Sequence, residues 1–528
     1  MRVKVRTVRE MGRVNKAFAL LSYIVFLLLF FTLDKSFGSV VTPGGDVGYD
    51  AGWVYEMSIS KIPVTFGGSG VFGMGHPGPI YLWIAALGYM LGGYLGWYVI
   101  WVTLSLFLWV FSGYLLSVKF KNPLPLAGVL LGYVLADFHN GYDGIALDWT
   151  EDSPFAQSLL LVAISGIILS SKSWSGILMV VFGVFSVTVW ANLLFIALPV
   201  IIYGLIFQKR NWEESKGIPR QILITALSLV ILTFIARWYL YGLSFPIDYV
   251  KAIINFRTNE PHGSPGQVMN NFVSGMWWSL SESIAWSLWA LVLLSTLIFT
   301  VFKKSVVGFI LLLTSLTATA TAVFVPTLSE THIVSVVGLI PPISVAIIFG
   351  LIGNYISKIK VGDVAVTIFT LVVLLYSTHI FKQDPTSTVR YRDAMQTVTS
   401  TAGLVFSLEQ NENFREVKGK SIRIVIDENA KYQPYYEVGL KNSLLLELNR
   451  IGYKVCRDFI TYNPGRGGAV AKTMNCNSPE NRPAFDLVLM PTTKSDEKEI
   501  LVAESFDQYL KENVRVAFIK NDNWGLMS

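Results

Sequence analysis

Apolar stretches long enough to cross a bilayer recur about eleven times between Ala17 and Phe381 of this chain. A hydrocarbon layer about 30 Å thick takes roughly twenty residues of helix, and no water inside it can satisfy a bare backbone. Each stretch must then be a helix that bonds its own amides. The candidate spans lie near residues 17–37, 97–118, 123–138, 155–171, 174–190, 192–207, 221–243, 279–302, 306–325, 333–356 and 362–381. Only 15% of the residues are charged and 52% are hydrophobic, whereas a water-soluble domain carries roughly 25% charge. The expected fold class is a polytopic α-helical membrane protein with about eleven transmembrane helices and a C-terminal soluble α/β domain. The net charge of +6 comes from Lys and Arg in short loops and gives no ground for a nucleic-acid partner.

Orientation follows from those basic residues. The N-terminus, MRVKVRTVREMGRVNK, is basic and runs into an uncharged apolar stretch without a small-residue cleavage site, so a retained first helix is expected. The segment HPGPIYLWIAALGYMLGG (76–93) is apolar enough to span, yet it opens with two prolines and is broken by glycines. If it lies in the membrane plane, Lys119/Lys121, Lys172, Lys209/Arg210/Lys216/Arg220, Lys303/Lys304 and Lys358/Lys360 all fall on the cytoplasmic side. If it spans, all of them fall outside. The in-plane reading is therefore taken. It places the first loop, the loops 139–154, 246–275 and 326–332, and the tail from 382 onward on the extracytoplasmic side of a cytoplasmic (inner) membrane.

The tail reads as a separate domain, giving a division into 1–381 and 382–528. SIRIVI (421–426), YKVC (453–456), FDLVLM (485–490) and VRVAFI (514–519) have the pattern of buried strands. YYEVGLKNSLLLELNRIG (435–452) and KEILVAESFDQYLKE (498–512) have that of amphipathic helices, and the alternation suggests a largely parallel sheet. The two cysteines, Cys456 and Cys476, flank a polar loop. In an oxidising compartment a disulfide between them is favoured over two separate thiols.

Chemistry-bearing residues gather in the outer loops. Asp46 stands on a Gly-rich turn with Asp50 one helical turn later. A carboxylate there could take the proton of an incoming hydroxyl, or Asp46 could cap a surface helix running through Ala51 to Ser60. His76 is set between glycine and proline at the membrane lip, as a catalyst or as a structural hydrogen-bonder. Arg257 and His262 are candidates for gripping a phosphate, with an Arg257–Glu260 pair as the alternative. Glu330 and His332 open the tenth span and face the same compartment. Asp143 and Asp148 stay open as ligands of a divalent cation, which would need oxygens converging from several loops. No metal residue is assigned and no cofactor is certain. Trp53, Trp149, Trp277 and Trp278 fit a membrane interface as well as a sugar platform.

The first helix, the acidic loop with Asp46 and Asp50, the in-plane HPGPIYLW helix, the many spans and the outward domain resemble the GT-C superfamily of membrane glycosyltransferases. The resemblance covers about residues 1–381. It implies a polyprenyl-phosphate sugar as donor substrate and a catalytic aspartate in the first outer loop, hence Asp46. Asp50, His76, Arg257, His262, Glu330 and His332 become the candidate substrate-binding residues. Within the superfamily, GGDVGYD (44–50) looks like the acidic-Gly-Tyr signature of arabinofuranosyltransferases that use decaprenyl-phosphoryl arabinose. Those carry two adjacent acidic residues where this chain has Asp46-Val47. The expectation is an inverting transferase moving a sugar, arabinofuranose first, from a lipid-linked donor to a cell-envelope glycan or a protein acceptor. Two alternatives stand beside it: a transporter or flippase of a lipid-linked saccharide, and a non-catalytic anchor presenting the C-terminal domain.

Overall fold

The computed structural model describes residues 8–33, 80–140, 152–169, 174–190, 193–212, 308–313, 340–359, 361–383, 408–426, 444–456, 483–491, 500–507 and 512–520, with a few positions between. The expected spans 221–243 and 279–302, and most of 306–325, lie outside the described residues. The long helices are α1 (Val8–Leu33), α2 (Ile80–Phe120), α3 (Leu124–Asn140), α4 (Asp152–Ile168), α5 (Ser175–Val189), α6 (Leu194–Trp212), α7 (Ile340–Ile356) and α8 (Gly362–Gln383). Two compact units interleave along the chain. One comprises Met1–Asp34, Val102–Thr233 and Val250–Ser387, the other Lys35–Trp101, Phe234–Tyr249 and Thr388–Ser528.

The first unit is a helical bundle joined through small residues. A Cβ on Gly132 of α3 would fall 2.6 Å from the Pro342 Cα of α7, and one on Gly128 would fall 2.8 Å from the Ala346 Cα. Gly204 of α6 likewise meets Met179 of α5 at 2.7 Å. Such pairs let backbones approach where lipid gives helices no hydrophobic reason to associate. Buried hydroxyls bond back to their own helix, as Ser112 donates to the Leu108 carbonyl at 2.9 Å and Thr370 to the Val366 carbonyl at 2.7 Å. At the α2–α3 turn, Asn122 donates to the Gly350 carbonyl (3.3 Å) and to Asn354 Oδ1 (3.1 Å), while its own oxygen accepts from the Leu124 amide at 3.1 Å. One side chain thus caps α3 and ties it to α7.

Apolar side chains also face outward in helical stripes. Leu20, Leu21, Ile24 and Leu28 do so on α1, Leu194, Leu198, Ile202 and Leu205 on α6, and Val364, Ile368, Leu371 and Leu375 on α8. A soluble monomer rarely shows contiguous apolar surface on this scale, and the stripes fit a lipid-facing surface. Val99–Phe120 and Gly362–Ile380 are each long and apolar enough to cross a bilayer, and Val14–Leu29, Phe155–Ile168 and Pro342–Ile356 are shorter apolar helices.

The second unit holds a sheet of β1 (Ser421–Ile426), β2 (Lys454–Cys456), β3 (Phe485–Pro491), β4 (Ile500–Asp507) and β5 (Glu512–Lys520), in the order β2-β1-β3-β5-β4. The four segments expected as strands all lie in it. The strands β2, β1 and β3 run parallel, whereas β3/β5 and β4/β5 are antiparallel, so the sheet is mixed and not largely parallel. Residues 500–507, expected within an amphipathic helix over 498–512, form β4 instead. The short connection pairing Asp507 with Glu512 closes a hairpin, and that pairing outweighs the local helical bias of its Glu and Lys neighbours. Helical residues 444–450 precede β2 and end at Gly452, whose φ of 98° lets the Tyr453 amide bond back to the Leu448 carbonyl at 2.9 Å. Leu444, Leu445, Leu446 and Leu448 join Ile422, Ile424, Val455 and Leu487 in the core of this domain.

Candidate active-site region

Asp46, Asp50, His76, Arg257, His262, Glu330 and His332 lie outside the described residues. The described frame is residues 53–54, 57–59 and 61 and the helix from Ile80 to Gly93, all within the second unit. Residues 53–54 and 57–58 are helical, and Val54 is fully buried. Lys61 then turns the chain at φ 58°, its ammonium donating to the Ser58 carbonyl (2.6 Å) and lying 3.7 Å from the Met90 sulfur of α2. This ties the segment after Asp50 to the helix after His76.

That helix is the first arm of α2, and it is separate from the second. Gly92 (φ −160°, ψ 27°) and Gly93 (φ 62°, ψ −149°) leave helical geometry and make an elbow. The chain folds back there so tightly that a Cβ on Gly88 would fall 2.7 Å from the Trp97 Cα. Gly93 occupies a backbone region that is essentially glycine's alone. The first arm has two faces. Tyr81, Leu82, Ala85, Ala86 and Tyr89 are buried, with Tyr81 stacked on Trp101 at 5.0 Å, while Trp83, Leu87, Met90 and Leu91 form an exposed apolar stripe. An outward apolar stripe on a short helix is the pattern of one lying at a membrane surface.

The buried face docks on the C-terminal domain. The Tyr89 hydroxyl donates to the Leu446 carbonyl at 3.1 Å, one residue before Glu447. Arg450 donates through Nε (3.0 Å) and Nη2 (2.7 Å) to one oxygen of Glu447, and a Cβ on Gly93 would meet its Nε at 3.2 Å. Glu447 is 3% exposed, and its other oxygen, Oε1, is buried without a hydrogen bond. Burial pushes its carboxyl above the ordinary range, and the nearby Arg450 and Tyr89 pull it down without cancelling that effect. Burial and Glu409 also raise Tyr453, whose ring stacks on Phe414 at 4.5 Å.

Sequence reasoning missed Tyr89, Glu447 and Arg450. The i,i+3 spacing of Glu447 and Arg450 was visible, but such a pair on an amphipathic helix reads as a solvated surface pair. Two further arrangements stabilise the sheet. Arg423 of β1 grips Asp486 of β3 with two bonds of 2.8 and 2.7 Å. Cys456 and Cys476 form a disulfide with a Cα–Cα distance of 5.0 Å. Among the described residues no three His, Cys, Asp or Glu side chains converge as a metal site would require.

No family model matches the sequence, and no curated protein matches it. Solved structures do. ArnT from Cupriavidus metallidurans in the apo state superposes with a TM-score of 0.54 at 12% identity, over 95% of this chain and 98% of that one. ArnT bound to undecaprenyl phosphate gives 0.52 at 13% identity, over 96% and 97%. The Archaeoglobus fulgidus oligosaccharyltransferase in its apo form is more distant, with a TM-score of 0.42 at 10% identity over 90% of this chain and 69% of that one. The chain shares the fold of ArnT along nearly its whole length.

Proposed function

We propose that a chain with this GT-C fold is an inverting glycosyltransferase that draws its sugar from a polyprenyl-phosphate donor. One observation carries the reading: the end-to-end fold correspondence with ArnT, which has been crystallised with undecaprenyl phosphate. Fold alone does not assign chemistry, and the carboxylates of the first loop supply that part. The acceptor hydroxyl oxygen attacks the anomeric carbon as the bond from that carbon to the phosphate oxygen breaks. The acceptor proton passes to Asp46, and the polyprenyl phosphate departs with its charge held by Arg257 together with His262 or His76. Asp50, Glu330 and His332 orient sugar and acceptor. Loop, surface helix and C-terminal domain share the extracytoplasmic side, and the acceptor is a cell-envelope glycan or a protein.

The exposed apolar stripe of Trp83, Leu87, Met90 and Leu91 supports a pocket beside lipid, because it lies on the helix that follows His76 in the sequence. Arabinofuranose is the first sugar to try, on the strength of GGDVGYD. The test presents the protein, reconstituted in lipid, with synthetic polyprenyl-phosphate arabinofuranose and hexoses, and with glycan and peptide acceptors. Sugar transfer with release of polyprenyl phosphate is expected from at least one donor. Failure with all of them, alongside movement of intact donor across the bilayer, favours the transporter.

A further inference from the structure

The C-terminal domain touches the surface helix at two points about one helical turn apart. The Tyr89 hydroxyl reaches the Leu446 carbonyl, and Arg450 lies against the Gly93 backbone at the elbow. The Arg450 side chain is half-exposed, and Glu447 holds its inner end. Two of its donors converge on one oxygen of Glu447, and Glu447 is buried in the domain. A guanidinium clamped in this way is a rigid planar wedge. Gly93 is where the wedge fits, since a side chain at that position would meet Arg450. The opposite face of the same helix carries Trp83, Leu87, Met90 and Leu91 outward. The helix is therefore held on one face by the domain and presents the other to lipid.

We infer that Arg450, clamped by Glu447, is a positioning residue: it locks the Gly92–Gly93 elbow, so that the C-terminal domain sets the attitude of the surface helix, which begins four residues after His76. This gives the C-terminal domain a task inside the transferase rather than a binding role of its own. The catalytic part of the inference rests on the donor-phosphate reading of His76 given above. The contact itself does not.

Hydrogen exchange of the full chain in lipid nanodiscs reads the contact directly. Arg450→Ala should raise exchange of amides 80–93 about tenfold while leaving β1 and β3 protected. Arg450→Lys keeps one charge for Glu447 and should restore most of that protection. Unchanged exchange at 80–93, or equal loosening of β1 and β3, overturns the lock. In the transfer assay Arg450→Ala should raise the donor KM about tenfold with kcat little changed, the effect of misplacing one phosphate contact. Looser exchange with an unchanged donor KM would overturn the positioning role. If the wild type transfers no sugar from any lipid-linked donor, the transferase reading falls, and the exchange result still decides the lock.

Discussion

The two compact units treat polar groups in opposite ways. In the bundle, hydroxyls and amides bond to carbonyls of their own or an adjacent helix, and glycines let backbones touch. In the other unit, stability runs through a charged pair and a covalent bridge: Arg423–Asp486 and Cys456–Cys476. The environments account for the contrast. Lipid penalises charge and offers nothing to helices packing through bulky side chains, so neutral bonds and close approach must hold the bundle. A small water-facing sheet has a modest core, and an ion pair plus a crosslink add to it.

Four changes would break or sharpen this contrast. The largest effect is expected from Cys456→Ser, because closing a loop of 20 residues' separation constrains the unfolded chain by about 3 kcal/mol. Denaturant unfolding followed by exchange at β1 and β3 should show that loss, with α3 and α7 unmoved. Gly132→Val puts atoms where Pro342 already stands and should cost about 1–3 kcal/mol, read as loosened exchange in α3 and α7 while the sheet keeps its protection. Asn122→Ala removes the cap and the tie to Asn354, and about 1 kcal/mol is expected in the same readout. An equal response of both units to either bundle substitution would erase the distinction.

The smallest effect is a pH dependence confined to the C-terminal domain. The Glu447 carboxyl is raised in the fold, facing Arg450 and Tyr89. Its contribution to stability is complete below the ordinary carboxylate pKa and is lost as pH rises through the elevated folded value. Glu447→Gln should flatten that part of the profile, as followed by thermal unfolding across the acidic range. A variant profile that keeps the wild-type slope would assign the slope to another group.

The sequence displays some of these features plainly and hides others. Ser421–Ile426 and Phe485–Pro491 are dense in Ile, Val and Leu, and a run of that kind becomes a strand wherever neighbours supply the ladder. Bilayer-length apolar runs announce helices because lipid permits nothing else. Ile500–Asp507 has a strand's hydrophobic start but a helix-former's neighbours, and only the hairpin with β5 decides between them. The elbow shows as Gly92-Gly93 between two apolar runs, which is enough to expect a break. That a guanidinium from more than three hundred residues later fills it depends on tertiary approach, which no local pattern carries. The candidate catalytic carboxylate and phosphate-gripping groups were legible only as residue types in loops, and they lie outside the described residues.

The most direct measurement compares wild type and Asp46→Asn in one lipid-reconstituted preparation, timing release of polyprenyl phosphate from the donor that the wild type uses. Loss of the proton acceptor should slow transfer by about 10²–10⁴-fold, with donor binding and the exchange pattern of α3, α7 and β1 unchanged. Release by the folded Asp46→Asn protein at close to the wild-type rate would contradict the account.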